Sequence, residues 1–101
     1  MLYMVVERFK GQDPHPVYQR LRRRGRLAPA GLDYVASWVD TAQGVCFQLM
    51  ETADPGLLKE WAARWEDIVD FEFYPVRPSA EAAEEIAHQF KEGLRDDGRR
   101  P

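Results

Sequence analysis

Glu72 is the residue of this 101-residue chain best suited to chemistry, and the company we expect for it is Arg8, Ser37, Cys46, Gln48, Met50 and Tyr74. A carboxylate desolvated among apolar neighbours rises in pKa and can exchange a proton near neutrality. One paired with a guanidinium stays ionised and holds structure together. Arg8 is the natural counter-ion, so we expect a pair. Ser37, Gln48, Glu72 and Tyr74, with Cys46 and Arg8, would line a cavity in which polar groups orient a ligand against apolar Met50, Val35 and Val39. The competing role is a set of hydrogen-bonded contacts in a subunit interface, since buried polar groups are usually there to be satisfied.

The remaining reactive side chains point to little chemistry. Cys46 is the only cysteine and has no nearby His or Lys in sequence to activate it, so it reads as a small strand hydrophobe. It also excludes an intrachain disulfide, which fits a reducing cytoplasm. His15 and His88 are the only histidines, and neither has a metal-like partner at close spacing, so no metal and no cofactor are expected. Arg20, Arg22, Arg23, Arg24 and Arg26 form the densest charge run. They could grip phosphate or an acidic partner. A solvated helix end favoured by its own dipole, with Leu21 facing the core, explains them more simply. The net charge of −3 and the lack of an interleaved stacking ladder argue against a nucleic-acid partner. The apolar start at residues 1–6 is broken by Glu7 and Arg8, too short for a signal-peptide core or a membrane span.

These residues must be positioned by short elements that repeat. A strand over Leu2–Phe9 is followed by Asp13-Pro14, and a strand over Val45–Thr52 is followed by Asp54-Pro55. Aspartate accepts hydrogen bonds from orphan amides at a helix start, and proline tolerates the first helical position because its missing N–H would be unpaired there. Helix one then runs over 14–24 to Gly25. Leu58, Trp61, Ala62 and Trp65 recur at helical spacing after Asp54, opposite Lys59, Glu60 and Arg64. Strands over 32–41 and 45–52 should form a hairpin across Ala42-Gln43-Gly44, and 69–76 reads as a fourth strand. Ser79 opens a last helix with Ala83, Ile86, Ala87, Phe90 and Leu94 in one stripe. We expect one domain over 1–95 and a disordered tail over 96–101.

Strand, helix, strand, strand, helix, strand is the α+β, ferredoxin-like βαββαβ order, here with an extra C-terminal helix: a four-stranded antiparallel sheet carrying helices on one face. Alternation splits the hairpin into two sets. Ala36, Trp38, Phe47 and Leu49 are expected to face the helices, with Phe71 and Phe73. Val35, Ser37, Val39, Cys46, Gln48 and Met50 are expected on the bare face, with Asp70, Glu72 and Tyr74. The first strand fits either way, with Arg8 preferred on the bare face near Asp70 or Glu72. Such a mixed bare face suits a second copy packed sheet to sheet, giving a homodimeric barrel with a wet or ligand-holding interior.

The runs 4–10, 31–35 with Ser37-Trp38-Val39, and 46–52, then Trp61, Arg64-Trp65 and Asp70-Phe71-Glu72, resemble a bacterial group, domain-of-unknown-function family 3303. The resemblance covers most of the chain to about Ala80 and implies a dimeric α+β barrel. It carries no established activity. Proteins of that fold include cofactor-free monooxygenases, haem-degrading enzymes and ligand sensors, so haem on His15 or His88 would rest on fold analogy alone. We therefore expect a cytoplasmic homodimer that binds a small apolar or aromatic molecule in or beside the barrel. The alternatives are a cofactor-independent monooxygenase-like enzyme and an interaction module built on the arginine run.

Overall fold

The computed structural model describes residues 1–93. The predicted boundary at residue 95, the tail over 96–101 and Leu94 lie outside the described residues. Strands β1 (Leu2–Phe9), β2 (Asp33–Asp40), β3 (Val45–Glu51) and β4 (Val69–Val76) alternate with helices α1 (His15–Arg24) and α2 (Gly56–Ala62), and α3 (Ser79–Gly93) follows. The sheet order is β2-β3-β1-β4 with every pair antiparallel, which is the ferredoxin-like arrangement. Both Asp-Pro starts work alike. Asp13 Oδ1 accepts from the His15 amide at 3.0 Å, and Asp54 Oδ1 accepts from the Gly56 amide at 2.9 Å. Each carboxylate thereby satisfies an amide that the first helical turn leaves without a partner.

Register places the side chains in rows. On the helix-covered side, one row reads Val39, Cys46, Glu7, Phe71 and the next reads Ser37, Gln48, Val5, Phe73. On the other side the rows are Trp38, Phe47, Val6, Glu72, then Ala36, Leu49, Met4, Tyr74. The expected sets within the hairpin are right and their sides are reversed. Ser37, Cys46, Gln48 and Met50 lie beneath the helices, whereas Trp38 and Phe47 lie on the open face, 57% and 41% exposed. Arg8, Glu72 and Tyr74 take the open side, as expected. Val35 falls at the irregularity in β2 between Tyr34 and Ala36 and is exposed.

The core is formed by β1, β3 and β4 against α1 and α2. Val5, Phe9, Met50 and Val69 meet Val17, Leu58, Trp61 and Trp65, and Met50, Trp61, Val5 and Val69 are the largest fully buried side chains. Burying side chains of this size is worth about 1.5–3 kcal/mol each. The β2–β3 turn packs closely on the chain after β1. At Gly44, with φ of +65°, a Cβ would lie 2.7 Å from the Gln12 backbone, so glycine is required there on both counts. The stripe of α3 behaves differently from those of α1 and α2: Ala83, Ile86 and Ala87 are exposed, and an Arg77–Glu85 ion pair ties the helix start to the end of the sheet.

Candidate functional site between sheet and helices

A cleft of about 200 Å³ opens between the covered face of the sheet, α1 and α2. Phe9, Val17, Leu21, Trp61 and Trp65 supply its apolar surface, and Glu7, Tyr18, Arg26, Ser37, Cys46 and Gln48 its polar groups. β1 places Glu7 here by simple alternation. With Val5 and Phe9 in the core, the residue between them must share their face. Glu7 is only 7% exposed, and burial pushes its carboxyl from 4.5 up to about 7 although the charge of Arg26 pulls the other way.

Gln48 links the two charges. Its Nε2 donates to Glu7 Oε2 at 2.7 Å, and its Oε1 accepts from Arg26 Nε at 2.8 Å. A neutral amide thus stands where a direct ion pair would otherwise form. Glu7 Oε1 has no hydrogen-bond partner among the described residues. Arg26 lies over the Tyr34 ring with 3.6 Å from guanidinium carbon to ring centroid, and Tyr34 Oη shares a hydrogen bond with Ser37 Oγ at 2.8 Å.

The segment over residues 25–32, which brings Arg26 to the cleft, is fixed from the α2 side. Nε1 of Trp61 and Nε1 of Trp65 both donate to the Arg26 carbonyl, at 2.9 and 3.0 Å, and Arg64 donates to the Leu27 carbonyl at 2.7 Å. Leu27 itself has a left-handed φ of +62°. For a leucine this conformation costs on the order of 1–3 kcal/mol, so these donors hold the turn against its own preference.

The expected site residues therefore separate into two groups. Ser37, Cys46 and Gln48 line the cleft, and Met50 is fully buried in the core on the same side of the sheet. Arg8, Glu72 and Tyr74 stand on the opposite face, where Arg8 donates to Glu72 at 3.1 Å in the expected pair. Burial, with a contribution from the Glu7 charge, drives the Cys46 thiol up to about 12, so it stays protonated and unreactive. Tyr18 is raised mainly by partial burial. His15 is engaged with Asp13 at an exposed position, His88 is exposed on α3, and no group of three or more metal-ligating side chains exists among the described residues.

The arginine run also divides. Arg20 makes a two-pronged pair with Asp67 at 2.8 and 2.6 Å, which holds that carboxyl at about 2, and Arg26 belongs to the cleft. Arg22, Arg23 and Arg24 are exposed, as a solvated helix end requires, and Leu21 packs inward. Glu7 and Arg26 were not among the expected site residues. The signal for Glu7 was available, because placing Arg8 opposite Glu72 forces the neighbouring acid under the helices.

The fold and cleft define a small ferredoxin-like α+β domain with a buried acid beneath its helices. The chain belongs to the family described as Domain of unknown function (DUF3303), which matches residues 1–90. No curated protein and no solved structure matches it. No helix among the described residues is long and apolar enough to cross a membrane.

Proposed function

We propose that this protein binds a small, partly aromatic molecule in the cleft beneath α1 and α2, with Glu7 as the group that fixes its orientation. The observation that carries this reading is the unpartnered Oε1 of a nearly buried carboxylate that lines a cleft of mixed apolar and polar surface. Isolated acids are costly to bury, and one retained there without a direct counter-ion suits a ligand that completes its hydrogen bonds. A cleft of about 200 Å³ suits a molecule of one or two rings.

A catalytic version of the same site has one observation in its favour. A carboxyl titrating at about 7 is half ionised at neutral pH, the condition that best serves a general base removing a proton from a bound phenol or activated C–H. That is the chemistry a cofactor-independent monooxygenase-like enzyme would begin with. We also infer a homodimer whose second copy covers the open face, as in a dimeric α+β barrel. Support comes from Trp38, Phe47 and Tyr74, which lie exposed around Met4, Val6 and Leu49 on one side of the sheet. A cytoplasmic location is part of the same reading and is supported by the lone free thiol.

Native mass spectrometry of freshly purified protein tests both parts. Twice the 11.7 kDa chain mass, with a small molecule retained by the wild type and lost from Glu7→Gln, is the expected result. A bare monomer at micromolar concentration would contradict the dimer. Retention unaffected by Glu7→Gln would contradict the role of the acid.

A further inference from the structure

The Arg26 guanidinium is only partly used by the protein. Its Nε–H is committed to Gln48, its flat face rests on Tyr34, and neither terminal nitrogen has a hydrogen-bond partner among the described residues. What is left is the edge carrying both terminal nitrogens, coplanar and two-pronged, on a side chain that lines the cleft. The fork cannot swing freely, because Gln48 holds one end while Tyr34, tied to Ser37, supports its plane. Two parallel N–H donors held in one plane match a carboxylate in both spacing and charge, and such pairs are about twice as strong as neutral hydrogen bonds.

Resting on the cleft as the binding site, we propose that its ligand is a small aromatic acid, with the carboxylate on the terminal edge of Arg26 and the ring against Trp61 and Trp65. Glu7 Oε1 then meets a polar substituent on the far side of the ring, held apart from the carboxylate by Gln48. The site would thus read a molecule with an anionic end, an apolar body and a second polar group. Neutral hydrocarbons would satisfy only the middle.

Benzoate and benzamide share a shape and differ in charge, so ligand-observed NMR titrations of the two against the full chain at pH 7 isolate the role of Arg26. The wild type is expected to prefer benzoate by about tenfold or more, the yield of one additional charge-assisted contact. Arg26→Met, which keeps the main-chain carbonyl used by both indoles, should abolish the preference and bring benzoate down to the level of benzamide. Arg26→Lys, which keeps the charge without the fork, should lose at least about half of the preference on a logarithmic scale. It decides the matter if the methionine variant does not fold. Equal binding of the two probes by the wild type, or a preference undiminished in the variants, overturns the acid assignment while leaving the cleft reading intact. Should benzoate, benzamide, indole and indole-3-acetate all fail to bind, the cleft reading falls as well.

Discussion

Glu7 makes the stability of this protein depend on pH near neutrality. Its carboxyl is raised to about 7 in the folded chain from 4.5 in an exposed one, so between those values the folded state holds a proton that the unfolded state has released. Stability from this residue is therefore complete below about 4.5 and is lost as pH rises through 7. At 1.36 kcal/mol per unit, the gap from 4.5 to about 7 is worth about 3 kcal/mol. Glu7→Gln keeps the acceptor for Gln48 and removes the ionisation. Denaturant unfolding should find the variant matched with wild type at pH 4 and about 3 kcal/mol more stable at pH 8. A constant difference across that range would mean the acid is hydrated in the folded protein. A stabilised variant with impaired ligand retention would also fit a site that gives up stability for function.

Among the elements, the segment over residues 25–32 is the one that brings Arg26 to the cleft, and it is anchored by Trp61, Arg64 and Trp65. One carbonyl, that of Arg26, receives both indole N–H groups, so removing either donor leaves it satisfied by the other. Trp61→Phe and Trp65→Phe should each cost about 1–2 kcal/mol, combining a lost hydrogen bond with a modest cavity. The double variant should cost more than the sum by at least about 1 kcal/mol, because only then is the carbonyl left unpaired. Strict additivity in a denaturation cycle would show that the carbonyl reaches water. At this scale much was legible in the chain: Asp13-Pro14 and Asp54-Pro55 start their helices through local bonds, and the spacing of Leu58, Trp61, Ala62 and Trp65 fixes their inward face. The anchoring of this segment was not legible, since it rests on a main-chain carbonyl paired with tryptophans more than thirty residues away and no side-chain type marks it.

At the level of the whole molecule, the two sides of the sheet reverse the usual expectation. Hydrophobicity alone would turn Trp38, Phe47 and Leu49 towards the helices and Ser37, Cys46 and Gln48 away, which is the arrangement expected from the sequence. The fold does the opposite, and the reversal has a physical sense. Under the proposed function, the polar groups line the binding cleft and the large apolar groups meet the second copy. β4 carried no such conflict, with Phe71 and Phe73 inward and Asp70, Glu72 and Tyr74 outward as their polarity suggests. Composition can divide residues between two faces by alternation, but it cannot tell which face is the core when both are half-apolar.

The three tryptophans provide a direct reading of this two-sided arrangement, since Trp61 and Trp65 line the cleft and Trp38 stands on the open face. In a ¹⁵N-resolved spectrum of the indole N–H groups, adding a cleft-binding aromatic acid should shift the Trp61 and Trp65 signals and leave that of Trp38 in place. Movement confined to Trp38, with the other two unchanged at saturation, would put the ligand on the open face and contradict the cleft beneath the helices.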